Sequence, residues 1–236
     1  MSFRIRATSG SLIGARENNE DAHRTRAPSY IVADGMGGHP CGDVASELVV
    51  SVLSHAQPRC RTSMRQAFHQ VPLEMQKAVR HGRGSRLMGS TGTMLYFDVQ
   101  KGFVLMGHVG DSRAYVMGQN GPLEQLSRDH TVFAELTRQG VDVSRIHPVH
   151  GACLSQSISP KSTHDDEYNP QILARTLCAG DTYLLCSDGV HGQVEFYELE
   201  RLITCGITGT QLAKRAVENS ERSDNATAII IRVEAA

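Results

Sequence analysis

The chain has 236 residues, 40% hydrophobic and 21% charged, a balance suited to one sizeable soluble domain or at most two small ones. A formal net charge of −1, no tryptophan and only 5% aromatic residues exclude a polycationic or base-stacking nucleic-acid surface and give no attraction to an anionic membrane. No apolar stretch approaches the length of a membrane span.

In chain order, MSFRIRATSG has arginines at 4 and 6 and no apolar core of a signal peptide, which leads us to expect a cytoplasmic protein. On that reading the six cysteines (41, 60, 153, 178, 186, 205) are reduced thiols, several of them in the core. FRIRATSG alternates as a first strand, and YIVADG is a short buried one. Apolar residues at 44, 45, 48, 49, 52 and 53 predict a helix over 41–56, and residues 63–82 form a second, with Pro72 expected to kink or break it. A block of four strands follows between 91 and 127, then a short helix ending at Gly140. Residues 141–168 are polar and aperiodic, the pattern of a functional loop or small insert. QILARTLCAGDTYLLCSDG reads as a hairpin, two helices follow over 193–219, and NATAIIIRV closes the chain as a strand. Central strands with helix pairs on either side suit an α+β fold, two antiparallel sheets packed together with helices outside.

Chemistry concentrates at the strand ends. Asp34 ends YIVADG, Asp188 ends YLLCSDG and Asp111 ends FVLMGHVGDS; Asp224 precedes the last strand, and Glu20-Asp21 follows the first. A single aspartate in such a place is an ordinary turn or cap residue. Carboxylates gathered from several strand ends repel one another, and Arg16 is the main basic residue beside them, so a divalent cation would relieve the repulsion. Asp oxygens without a Cys/His spacing motif favour Mg²⁺ or Mn²⁺ over zinc. Two such ions predict phosphoester hydrolysis, and the glycines of DGMGG leave room for water and an anionic substrate.

Seven segments in order, RENNEDAH, VADGMGGH, GSTGTMLYF, GHVGDSRAYV, LSRDHT, LLCSDGV and SDNATAIII, resemble the metal-dependent protein phosphatase (PPM) family, the type 2C Ser/Thr phosphatases, in its compact bacterial form. The resemblance implies one domain over 1–236 with a flap insert around 141–168, built as a four-layer α-β-β-α sandwich. It implies that Asp34, Asp188 and Asp224 hold one ion, and that Asp21, Asp34 and the Gly35 carbonyl hold a second. Glu20 would orient water, Asn225 would support the same shell, Arg16 would bind the substrate phosphate, and His39 is the candidate general acid. A metal-bridging hydroxide would attack phosphoserine or phosphothreonine directly, in protein substrates of a cognate Ser/Thr kinase, and the enzyme would act as a monomer.

Two departures stand out. A third ion in many relatives uses the GDSR aspartate, here Asp111, and an aspartate at the position of Gly192, which leaves a third ion doubtful, with His191 beside it. In the flap, Gln156 stands where arginine is common. These departures motivate one alternative, a PPM-fold regulatory module with weak catalysis; a phosphomonoesterase of small molecules is a further one. His147 and His150 are spaced for metal but read as solvated, and Cys41 reads as a small thiol at a helix start.

Overall fold

The computed structural model describes residues 2–36, 41–164 and 168–236. The alternating N-terminal segment is β1 (Phe3–Leu12), and a polar loop leads to β2 (Asp21–Arg26), a strand with no apolar signature. The buried run that ends on an aspartate is β3 (Ser29–Asp34). Two helices follow, α1 (Gly42–His55) and α2 (Arg61–Arg80), packed side by side. Next come β4 (Gly92–Asp98), β5 (Phe103–Val109), β6 (Arg113–Met117) and β7 (Leu123–Gln125). Helix α3 (Val132–Arg138) precedes the expected loop, which contains one turn α4 (Pro148–Gly151) and a 3-10 turn over Pro160–His164. The chain ends with β8 (Gln171–Thr176), β9 (Thr182–Cys186), the single turn α5 (Asp188–His191), α6 (Phe196–Thr204), α7 (Gly209–Glu218) and β10 (Ala226–Ala235).

All strand pairs are antiparallel, in two sheets ordered β1-β10-β9-β6-β7 and β2-β3-β4-β5-β8. Between the sheets lie Tyr30, Leu95, Phe97, Tyr183, Ile229 and Ile231, all buried. One outer layer is α1 and α2, which seat Val49, Leu53 and Phe68 with Ile31, Met94 and Leu105. The other is α6 and α7, which seat Leu199, Ile203 and Leu212 with Leu184 and Ile230. Each such aliphatic or phenyl side chain contributes about 1.5–3 kcal/mol when fully buried. This is the four-layer sandwich expected.

Three expectations change. Helix α2 runs unbroken through Pro72. Proline removes the N–H that would reach the carbonyl of residue 68, and the buried Tyr168 hydroxyl donates to that Phe68 carbonyl instead, at 3.1 Å. The segment expected as a hairpin is not one, because β8 pairs with β5 while β9 lies between β10 and β6. Strand β9 is buried at Tyr183 to Cys186 and takes a central place, whereas β8 is part-exposed and takes an edge. The turn between them crosses from sheet to sheet: Leu177 N donates to Gly102 O (2.9 Å) and Gly180 N to Val233 O (2.8 Å). The cysteines are all free, but only Cys186 is buried; Cys41 is half-buried and Cys60, Cys153, Cys178 and Cys205 are exposed. The exposed four sit at helix ends and turns rather than in strands, which is why core packing does not cover them.

Candidate active site

Antiparallel register pairs two of the strand-end acids, and the meeting of the two sheets brings the others onto the same cleft. Asp21 and Asp34 are directly paired at the ends of β2 and β3. Asp111 follows β5, Asp188 opens α5 after β9, and Asp224 lies just before β10. Arg16, Glu20, Asp34, Gly35, Asp111, Asp188, Asp224 and Asn225 line one cleft of about 830 Å³. Asp21 lies behind this lining rather than on it. His39 lies outside the described residues.

Each carboxylate is held by its local backbone. Asp34 N donates to Thr91 Oγ1 (2.9 Å), while its carbonyl accepts from Thr91 N (2.8 Å) and Ser90 Oγ (2.9 Å). Gly35 N donates to the Glu20 carbonyl at 3.0 Å, and a Cβ on Gly35 would stand 2.2 Å from the Gly42 carbonyl oxygen. No side chain fits between those two backbones, so glycine is required there by close approach. Asn225 organises the opposite wall. Its Oδ1 accepts from Glu20 N (2.8 Å), and its Nδ2 donates to the carbonyls of Ile13 (2.8 Å) and Asn18 (3.0 Å). The loop that carries Arg16 and Glu20 is thereby fixed to the residue after Asp224. Arg16 itself donates to Asp224 Oδ2.

The electrostatics are those of crowded acids. Burial, then Asp21 and Asp188, pushes Asp34 well above the usual carboxylate range. Burial holds Asp21 up at about 7 against a hydrogen bond from Ser187, whose hydroxyl is 2.7 Å from Asp21 Oδ2. Asp111 is also raised to about 7, by burial and then by Asp188 and Asp129. Burial and Asp43 raise Glu20. The buried Asp21 Oδ1 has no hydrogen-bond partner. Among the described residues these acids do not form a closed set of three around one point; Asp21 faces Asp34 across the β2–β3 pair, and Asp224 is tied to Arg16. An unpartnered buried carboxylate oxygen and raised proton affinities on all-oxygen donors fit hard divalent cations, which would replace the protons.

Sequence reasoning missed several members. Ser187 bonds Asp21, and Thr91 pins Asp34 while its hydroxyl meets Ser112 Oγ at 2.7 Å. Cys153, Leu154 and Ser157 bring the 141–168 segment onto the cleft; their aperiodic stretch carries no signal that would have singled them out. Asp111, Asp188 and Asp224 also line a second cleft of about 670 Å³ with His191, Gly192 and Arg222. His191 Nε2 meets the Asp111 carbonyl at 3.0 Å. Gln156 is away from the acids, its Oε1 accepting from Asn169 N at 3.0 Å. His147 accepts from Val149 N at the start of α4, and neither it nor His150 joins a cluster of acids. Cys41 stands at the start of α1 with a left-handed φ of 69°.

The family model for Protein phosphatase 2C matches residues 11–220. The serine/threonine protein phosphatase PstP of Mycobacterium tuberculosis is 34% identical over 192 residues, covering 76% of this chain but 35% of its own length. The chain thus spans about a third of that relative. The serine/threonine phosphatase stp of Listeria monocytogenes is 30% identical, with 92% of this chain and 90% of that protein covered. Among solved structures, the catalytic domain of PstP in complex with two manganese ions superposes with a TM-score of 0.83 at 28% identity, covering 99% of this chain and 100% of that one.

Proposed function

The chain belongs to the protein phosphatase 2C family, and from that premise we propose that it hydrolyses phosphoserine and phosphothreonine in proteins with the help of two Mn²⁺ or Mg²⁺ ions. The observation that carries this reading is the gathering of Asp34, Asp111, Asp188 and Asp224 with Arg16 and Glu20 on one cleft, with Asp21 buried behind it. Asp34, Asp188 and Asp224 would hold one ion; Asp21, Asp34 and the Gly35 carbonyl would hold the other. Bound ions supply an activated water and neutralise charge on the phosphoryl oxygens.

The chain's own residues do the rest. Arg16 receives the phosphate with its guanidinium fork, exchanging an exposed carboxylate partner for a bidentate one. Glu20, its proton affinity raised by burial, accepts a hydrogen bond from the attacking water and orients it. Leu154 and Ser157 border the cleft and bear on the residues around the phosphate. His39 is the residue we assign to protonate the leaving alkoxide. Gly192 offers no ligand beside Asp111, so the resident ions number two. The substrates are phosphoproteins of a cognate Ser/Thr kinase.

Hydrolysis of a phosphothreonine peptide should require added Mn²⁺ and disappear with chelator or with Asp188→Ala. Turnover that persists in excess chelator overturns the reading.

A further inference from the structure

Resting on the hydrolase reading above, we propose that His130 is a positioning residue that fastens the flap to the loop aiming Asp111, so that the two respond to substrate as one unit. The motif LSRDHT contains it, and nothing in the proposed chemistry uses that motif.

The geometry starts at Gly110, the residue before Asp111. Its φ of 105° lies in the left-handed region, and a Cβ there would come within 2.6 Å of Thr91 Cβ. Both of its backbone polar groups go to His130. Gly110 N donates to His130 Nδ1 at 3.2 Å, and Gly110 O accepts from His130 N at 2.8 Å. Two bonds to one partner fix the direction in which the chain enters Asp111.

The other side of His130 faces the flap. Its carbonyl accepts from Ser155 N at 2.8 Å, and Val132 N donates to the Cys153 carbonyl at 2.9 Å. Thr131 and Leu154 form a bridge between these two bonds. Cys153 and Leu154 line the acidic cleft, so the stretch that meets substrate hangs from residues 130–132.

The ring is held in one orientation. It packs against His108, tilted by 39° with centroids 5.0 Å apart. His108 is itself fixed at both nitrogens, by Thr93 Oγ1 at 2.9 Å and the Arg128 carbonyl at 3.0 Å. The donation from Gly110 N assigns Nδ1 as the acceptor, and burial and the neighbouring Arg128 lower the proton affinity of the ring. Asp129, the preceding residue, grips Arg113 with bonds of 2.6 to 3.1 Å, holding the chain just after Asp111. Asp111 is therefore clamped on both flanks by adjacent residues of one motif.

Two variants separate the acceptor from mere bulk. His130→Phe keeps a ring of similar size without an acceptor, and His130→Asn places an oxygen close to where Nδ1 stands. Backbone amide exchange is followed on the metal-free full chain, and kinetics with Mn²⁺ on a phosphothreonine peptide. The phenylalanine variant should exchange faster at both Gly110 and Ser155, with kcat about tenfold lower and KM nearly unchanged, as expected for one buried donor left unpaired. The asparagine variant should stay within about twofold of the parent in both measurements. Unchanged exchange at Ser155 in the phenylalanine variant overturns the coupling. An asparagine variant as impaired as phenylalanine overturns the role of the acceptor. His130→Leu replaces phenylalanine if that variant does not fold. Exchange needs no turnover, so it decides this proposal even if the hydrolase reading fails.

Discussion

Arg16 reaches from the loop after β1 to the carboxylate of Asp224, joining a cation at the mouth of the acidic cleft to the turn before β10. Both side chains are solvent-accessible, at 54% and 36% of full exposure, and a pair this open contributes only about 0–1 kcal/mol. On the proposed role of Arg16, a phosphate that offers two oxygens should displace Asp224 at little cost. Arg16→Ala should therefore raise KM for a phosphothreonine peptide about tenfold or more while the melting temperature changes by at most about 2 °C. Arg16→Lys should recover only part of the loss, because an ammonium lacks the planar fork. Steady-state kinetics beside thermal melts check this, and an unaltered KM in the alanine variant removes Arg16 from the substrate site.

Asp34 is fixed through its backbone, by Thr91 on both sides and by the Ser90 hydroxyl, so its side chain can be changed without releasing the strand end. Asp34→Asn should fold with a metal-free melting temperature equal to or above that of the parent, since it removes one member of a repelling group. Its Mn²⁺ binding heat should vanish, and turnover should fall on the order of a thousandfold, the loss of several kcal/mol of transition-state stabilisation. Calorimetry and kinetics on the same preparation test it; a normal binding isotherm would show that Asp34 is not a ligand.

The strand-end aspartates were legible because an apolar run that stops on Asp-Gly marks both a buried strand and its exit. Register accounts for Asp21 and Asp34 within one sheet, but Asp188 and Asp224 come from the other sheet, so their convergence rests on how the two sheets pack, which no single strand's sequence shows. Strand β2 was not legible, since DAHRTR is part-buried at an edge and its partner supplies the apolar face. The β8–β9 hairpin was misread because a local apolar run does not say which sheet receives it; that choice rests on Gly102 and Val233, far along the chain. The motif LSRDHT points to a family but gives no role, because His130 acts through Gly110 and Ser155 rather than on substrate. The part played by Leu154 and Ser157 could not be read from an aperiodic loop at all.

Proline in the middle of α2 is tolerated because Tyr168 serves the carbonyl that Pro72 cannot. Tyr168→Phe should leave Phe68 O unserved and lower stability by about 1 kcal/mol, some 2–4 °C for a chain of this size. Pro72→Ala restores an amide donor within the helix. Combining the two should therefore cost less than the sum of the separate changes. Thermal melts of the four proteins complete the cycle, and strict additivity would disconnect Tyr168 from Pro72.

Proton linkage gives a last test, and its window has to be chosen with care. Buried His108, lowered to about 3, and His23, His69, His130 and His191, also lowered, favour folding as pH rises toward about 6.5, where unfolded histidine becomes neutral. The acids act oppositely. Asp21 and Asp111 at about 7, and Asp34 well above its usual range, bind protons in the folded protein that the unfolded chain, near 3.8, has already released. Their stabilisation is complete at low pH and is lost as pH rises through about 7. Above about 6.5 the histidines no longer oppose them, so the metal-free protein should lose roughly 5 °C in melting temperature between pH 6.5 and 8. Saturating Mn²⁺ replaces the protons and binds only the folded state, so it should flatten or reverse this decline. Melts across that range, with chelator and with Mn²⁺, measure both; a metal-free melting temperature that rises from pH 6.5 to 8 would mean that the acids do not share their site protonated.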